Sequence, residues 1–295
     1  MTKTRSFDAD KIEVLNISKR GDGRQRVLKL CHAGTPYILK CYGLKTSRRR
    51  AVMRELGSLT VAGKSSIRAR ARCKTEREVL RLWMREGFDV PRLLSIEPPL
   101  EIQEPYLVLE WIPGCSLYDI LESQETSLVR KEDLISRFAA LMEKRHARAL
   151  ELHEPRLLFE RPTFEHVLIS GDRLIHFDFE IVFTSKSDIG RFVRREIVGF
   201  LHSLAKSSRE SFGSLLDTFV AAYPDSKRFD HVRDDLIAYG AVPVAAWLEP
   251  VQRFSRKWQR YSKRSRLAAA LEEALRFRER RRPDRRCAGL RQSRR

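Results

Sequence analysis

The feature that most limits what this chain can fold into is the stretch PRLLFERPTFEHVLISGDRLIHFDFEIVF, from Pro155 to Phe183. Val167–Ile169 and Leu174–Phe177 are β-rich runs, and Ser170-Gly171-Asp172-Arg173 separates them. Gly-Asp at the centre is turn chemistry for strands joined by two residues, because glycine reaches positive φ without steric cost. The second strand ends in Asp178-Phe179-Glu180, so an acid is delivered at a strand end beside an aromatic anchor. The loop ahead of the first strand carries Phe159, Glu160, Arg161, Glu165 and His166. Helical patterns flank this hairpin. Leu134, Phe138, Leu141 and Met142 share one side of Lys131–Leu152, with His146 and His153 near its end read as solvent-facing or cap residues, and Arg194–Leu204, Ser214–Tyr223 and Phe229–Tyr239 follow it. Strands ahead of helices, with a hairpin between helical stretches, give an expected α+β class.

The N-terminal third reads as strands joined by turns. Lys11–Asn16, Arg26–Cys31 and Tyr37–Tyr42 are strand-like, Gly21 and Gly23 lie in the polar segment between the first two, and Ala33-Gly34-Thr35-Pro36 reads as a turn. Lys40 stands inside an apolar β-rich run, where an ammonium is costly unless it meets an anion or lies at an edge in water. Thr46–Ser66 is basic and small in composition and reads as an inserted loop or mobile helix. In the helical stretch Lys74–Arg85, Glu76, Leu80 and Trp83 repeat at i, i+4 and i+7. An acid on the face that buries Leu80 and Trp83 asks for a cation, and Lys40 is the obvious partner. Glu78 points elsewhere and is the second candidate. Gly87 and Pro91 then close the helix and open an extended segment. Tyr106–Pro113 is a mostly apolar strand that breaks at Pro113-Gly114, with Ser116 capping a short helix.

Taken in chain order, these motifs resemble those of the kinase-like superfamily, closest to the lipopolysaccharide-core (Kdo/WaaP) kinases. Glu86-Gly87-Phe88-Asp89-Val90-Pro91 is similar to the phrase that follows the same helix in small-molecule and lipopolysaccharide kinases. On the kinase template Asp178-Phe179-Glu180 takes the D-F-G place, His166 the asparagine place, and Phe159-Glu160-Arg161 the H-R-D place. The resemblance covers roughly Ile12 to Pro224. It implies a protein-kinase-like two-lobed fold, with a small β-rich N-lobe over 1–108, a helical C-lobe over 109–250, and ATP in the cleft between them. Lys40 would hold the phosphates and pair with Glu76, and Gly21 and Gly23 would lie in a phosphate-covering loop, the other reading of this lone G-x-G being a plain hairpin turn. Backbone groups near Glu110 and Ile112 would bind adenine, and Leu109 would wall the pocket. Asp178 would bind Mg²⁺. His166, a poor ligand for so hard an ion, would hydrogen-bond a phosphate or a water of the metal shell. Glu180 would help the metal or cap a turn. The chain departs from the template at the catalytic aspartate, where it has Arg161, which cannot accept a proton. Glu160 would substitute if the loop shifts by one residue, Glu165 is a second candidate, and a third reading has no dedicated base. Base assistance contributes roughly 10²–10⁴-fold, so transfer can persist slowly without it, with Arg161 as a cation beside the phosphoryl group.

Composition sets the remaining bounds. The chain has 295 residues, 42% hydrophobic and 33% charged, which suits a globular protein of one large domain or two intimate lobes. No apolar run approaches the ~20 residues of a membrane span, and Met1–Asp10 has no apolar signal core. The five cysteines are scattered and odd in number, which fits reduced thiols. Of the net charge of +19, residues 251–295 hold +13, from 17 Lys/Arg against 4 Asp/Glu. This basic tail reads either as a solvated helix with a frayed end or as an attachment to a polyanion. The expected location is the cytoplasm, peripheral to the inner face of a bacterial inner membrane. The expected function is ATP-dependent phosphoryl transfer to a hydroxyl of a lipopolysaccharide-core sugar or similar envelope acceptor. The alternative is a pseudokinase that binds nucleotide or a partner without transfer. A third reading, a nucleic-acid-binding basic protein, is disfavoured because the tail has no aromatic residue after Phe277.

Overall fold

The computed structural model describes residues 12–17, 25–43, 65–66, 68–98, 101–225, 227–240 and 264–281. Gly21, Gly23, nearly all of Thr46–Ser66, and residues 251–263 and 282–295 of the tail lie outside the described residues. The fold is α+β, with a small antiparallel sheet, a second short sheet and helices. It divides into two compact units. One comprises Met1–Cys115, Ala149–Glu160 and His166–Ile189, the other Ser116–Arg148, Arg161–Glu165 and Gly190–Arg295.

The first unit is built on four strands, β1 (Glu13–Ile17), β2 (Arg26–His32), β3 (Thr35–Cys41) and β4 (Tyr106–Glu110), in the order β1-β2-β3-β4 with antiparallel neighbours. The turn between β2 and β3 is tighter than the sequence suggests. Ala33 (φ 49°) and Gly34 (φ 80°) make a two-residue turn, and Thr35 and Pro36 already pair with His32 and Cys31. Two successive positive φ values match the right-handed twist of the flanking strands. The register decides which side chains meet. Tyr37, Leu39 and Cys41 share one face of β3 and join Leu28, Leu30 and Val108 in an apolar cluster. Lys40, alternating with them, is turned to the opposite face.

Helix α1 (Ala69–Arg85) starts five residues before the Lys74 that the pattern suggests, because Ala-Arg-Ala-Arg is itself good helix-forming sequence. Arg72, Cys73, Glu76, Val79, Leu80, Leu82 and Trp83 are its buried residues. Its end is a glycine cap: Gly87 (φ 78°) donates to the Met84 carbonyl, and Phe88 N–H to that of Trp83, while the Phe88 and Trp83 rings meet edge to face at 5.8 Å. A second sheet holds β5 (Cys115–Ser116), β6 (Val167–Ser170) and β7 (Arg173–His176). In the expected hairpin, Ser170 pairs with Arg173 and Gly171 has φ 57°.

Gly114 lies against β6 with φ 154°, and a Cβ there would stand 2.2 Å from the Ile169 carbonyl oxygen. Backbone cannot swing aside as a side-chain end can. Gly114→Ala is therefore expected to lower stability by about 2 kcal/mol or more, from a disfavoured φ plus overlap with a strand. A urea midpoint equal to that of the wild type would contradict this packing.

The second unit is helical: α2 (Leu117–Glu122), α3 (Leu128–Glu151, whose last turn belongs to the first unit), α4 (Ile189–Ser207), α5 (Phe212–Ala222), α6 (Lys227–Gly240) and α7 (Arg264–Arg281). Ser116 caps α2, its Oγ accepting from Asp119 N–H at 3.1 Å. Phe138 packs edge to face on Phe164 and Phe200, at 5.1 and 4.7 Å between ring centres. Beside this core lies a buried polar network. Arg145 and Glu196, both fully buried, form an ion pair. His146 Nε2 stands 3.3 Å from Glu196, and its Nδ1 is 2.9 Å from the Tyr223 hydroxyl, which also accepts from Arg228 at 2.8 Å. The expectation that His146 faces solvent or caps the helix is thus corrected; its partners arrive from distant helices. His153 is exposed.

The expectation of a solvated, fraying tail is also corrected where the structure describes it. Helix α7 packs on α5 and α6 through Leu267, Ala268, Leu271 and Ala274. Arg278 donates to the carbonyls of Val220 and Tyr223, at 2.9 and 3.0 Å, and to that of Pro224 at 3.1 Å. A cation at these end-of-helix carbonyls is favourable on both hydrogen-bonding and dipole grounds. Among the described residues no helix is long and apolar enough to cross a membrane.

Candidate functional site

Three elements of the first unit meet at Lys40. Strand β3 presents its ammonium on the face away from the apolar cluster, α1 brings Glu76, and the segment after β7 brings Asp178 and Glu180. Lys40 Nζ donates to Glu76 Oε1 and Oε2 at 3.0 and 2.8 Å and to Asp178 Oδ1 at 2.5 Å, and it stands 3.3 Å from Glu180 Oε1. Lys40 is 6% exposed and Glu76 1%. Burial by itself would lower the Lys40 pKa, but Asp178, Glu76 and Glu180 outweigh it and raise it well above the usual lysine value. Lys40 is therefore a fixed cation. For Glu76 burial dominates and raises the carboxyl pKa, with Lys40 opposing. The Tyr42 hydroxyl also donates to Glu76, at 2.6 Å, and burial followed by the Glu76 charge raises its pKa strongly.

Glu180 has a second cation. Arg72, fully buried one turn ahead of Glu76, donates to Glu180 at 2.8 Å, to the Gln25 side chain at 3.1 Å and to the Gly43 carbonyl. Gln25 donates back to Glu180 at 2.9 Å. Three carboxylates thus face two cations, an acidic excess of one charge. Oxygen atoms of Glu76, Asp178 and Glu180 lie within 4.8 Å of one another, a spacing that could hold a metal ion. Carboxylate oxygen is the hard donor that Mg²⁺ and Ca²⁺ prefer, so the donor set fits such a cation. Asp178 has φ 71°, in the left-handed region that a non-glycine residue rarely occupies. Such backbone persists only where the surroundings over-determine it, and it clusters at functional sites. His166, the residue just ahead of β6, places Nε2 at 3.5 Å from Asp178 Oδ2.

Beneath the charges lies an aromatic floor. Trp83 meets Phe159 at 5.2 Å, His176 at 5.3 Å and Phe179 at 4.6 Å, Phe159 stacks on Phe179 at 5.1 Å, and Trp83 Nε1 donates to the Arg156 carbonyl at 3.0 Å. This packing couples α1 to Phe179, and through the chain to Asp178 and Glu180.

The other residues singled out in the sequence take these places. Leu109 and Ile112 are buried near the end of β4. The Glu110 carboxylate is tied to Arg92 at 2.9 and 3.1 Å, a hydrogen bond that lowers its pKa, and Glu110 N–H donates to the Arg92 carbonyl at 2.9 Å. That backbone nitrogen is already engaged within the protein. Glu78 is half exposed, 3.6 Å from Arg156, and not among the partners of Lys40. Glu160 is buried in the first unit, whereas Arg161 and Glu165 are exposed and belong to the second. Gly21 and Gly23 lie outside the described residues.

Sequence reasoning missed Arg72, Gln25 and Tyr42. Carrying the Glu76–Leu80 spacing back one turn reaches Arg72, so that signal was present. Gln25 and Tyr42 are recognisable only once strand register is known. The chain matches no protein-family model and no curated protein.

Proposed function

We propose that the chain is a kinase-like phosphotransferase that binds Mg²⁺-ATP around Lys40 and is related to the lipopolysaccharide-core kinases. One observation carries this reading: a buried lysine is held between an acid on a helix and an acid at a hairpin end, Glu76 and Asp178. A lysine so held is kept charged and aimed, which suits the grip on a polyphosphate. The acidic excess around it suits a divalent cation beside that polyphosphate. Bound Mg²⁺-ATP would supply the transferable phosphoryl group and a metal to neutralise its charge. Lys40 would orient the phosphates, Glu76 and Tyr42 would keep Lys40 in place, and Asp178 would offer its carboxylate to the metal. Arg72 and Gln25 would hold Glu180 in position. His166 would steady Asp178 or donate to a phosphate oxygen. The acceptor class that fits the resemblance is a hydroxyl of an envelope sugar.

A second reading, nucleotide binding without transfer, is favoured by the segment before β6. Arg161 cannot act as a base, and Glu160 is buried where an acceptor hydroxyl would have to follow it. Incubating purified protein with γ-labelled ATP, Mg²⁺ and lipopolysaccharide extract separates the two. Label transfer that requires Lys40 supports the enzyme, and saturable ATP binding without transfer supports the binding module. Failure of both transfer and binding would sink the kinase-like reading altogether.

The metal role of Asp178 has its own expected result. Asp178→Asn should remove most of the Mg²⁺ dependence of nucleotide binding, measured as the shift in unfolding temperature with ATP, with and without Mg²⁺. Equal Mg²⁺ responses in variant and wild type would make Asp178 a structural turn residue.

A further inference from the structure

Helix α1 has a second face, opposite the one that builds the Lys40 cluster. Arg70, Lys74, Arg77, Arg81 and Arg85 are all exposed. Their spacing of i, i+4, i+7, i+11 and i+15 places them in one row, within about 80° of arc and about 22 Å long. Glu78 lies at the margin of the row, 3.8 Å from Lys74, and Glu86 meets Arg85 at the helix end. Arg70, Arg77 and Arg81 have no hydrogen-bond or ion-pair partner among the described residues. Met84 is exposed beside Arg77 and Arg81.

The row is straight and rigidly presented. The other face of α1 is fixed by Glu76 on Lys40, Arg72 on Glu180, and Trp83 in the aromatic floor. A rigid straight row can engage a planar anionic surface along its whole length, with all five basic side chains facing one plane. Within the row no aromatic ring offers a base a stacking partner. Guanidinium groups suit phosphate oxygens, which they bind through paired N–H donors, and an exposed methionine suits the headgroup boundary of a lipid leaflet.

We infer that the outer face of α1 is a docking surface for an anionic lipid bilayer. The helix lies along the headgroup plane with its arginines on lipid phosphates and Met84 against the acyl boundary. This inference rests on the exposed row and not on the kinase-like reading, which involves the opposite face of the helix.

The test is co-sedimentation of the full chain with phosphatidylcholine vesicles, with and without phosphatidylglycerol. Binding should require the anionic lipid and weaken with salt. Each Lys/Arg near such a surface contributes about 1 kcal/mol, roughly fivefold in affinity. The triple variant Arg70→Gln, Arg77→Gln, Arg81→Gln should therefore bind on the order of a hundredfold more weakly. A control triple that removes the same charge elsewhere, Arg130→Gln, Arg209→Gln, Lys227→Gln, should stay close to wild type. All six side chains are exposed, and matching unfolding temperatures confirm that both triples fold. The inference is overturned if the α1 triple binds like wild type, or if both triples lose affinity equally. It is also overturned if the row governs retention of double-stranded RNA and not of vesicles.

Discussion

Replacing Lys40 with methionine should lower the stability of the fold by roughly 3–5 kcal/mol at neutral pH, as well as abolishing nucleotide binding. The sequence alone suggests a cleaner outcome, a variant that folds normally and fails only to bind. The difference lies in what surrounds the ammonium. Glu76 and Glu180 are nearly fully buried, and Asp178 is partly so. Without Lys40, Arg72 remains for Glu180, but Glu76 keeps only the Tyr42 hydroxyl. The relief open to Glu76 is to take up a proton, and its pKa is already raised by burial in the wild type. A carboxyl whose folded pKa lies above its unfolded value binds more protons in the folded state, so stability falls as pH rises through that window. The deficit of Lys40→Met relative to wild type should therefore shrink as pH is lowered from 7 towards 5. Urea denaturation of both proteins at the two pH values measures it, and a deficit independent of pH would contradict the buried-carboxylate account.

Glu196→Ala should cost about as much in the helical unit, again roughly 3–5 kcal/mol, because it leaves Arg145 buried with a charge it cannot shed. The same network makes the wild type acid-sensitive. Burial is the main cause that lowers the His146 pKa to about 4, so this ring is neutral in the folded state at pH values where the unfolded chain protonates it. Its contribution is present above the unfolded value of about 6.5 and is lost as pH falls towards 4, on the order of 3 kcal/mol. For Glu196 burial alone would raise the pKa, but Arg145 and His146 together lower it to about 2, so its contribution fades in turn between about 4.5 and 2. Unfolding temperature followed from pH 7 to 4 should fall in the wild type, and much less in His146→Gln. Parallel curves for the two proteins would mean that His146 is not the group responsible.

What could be read in advance followed how local the determining physics is. The hairpin at Gly171 was legible because turn chemistry acts over four residues. Lys40 and Glu76 were legible because a charge inside an apolar pattern is anomalous, and each anomaly answered the other. Arg72 escaped because the pattern suggests a helix that starts at Lys74, two residues beyond it, whereas α1 starts at Ala69. The burial of His146 is not legible in the sequence, because Tyr223 and Glu196 come from 77 and 50 residues away, beyond any local pattern. In the tail, Leu267, Leu271 and Ala274 keep helical spacing and dock α7, but the count of arginines around them masked that stripe. In the sequence the β2–β3 turn looks two residues longer than it is because proline is usually a turn residue, whereas Pro36 follows the first residue of β3 and already pairs with Cys31.

The central claim is that the Lys40 cluster is a nucleotide site, and calorimetric titration of the full chain with ATP tests it most directly. The account predicts saturable binding that tightens when Mg²⁺ is present and disappears in Lys40→Met, with Lys40→Arg as a partner variant that keeps the buried cation and the fold. Binding that is unchanged in both variants, or a wild-type chain that gives no binding signal with ATP and Mg²⁺ in excess, would contradict it.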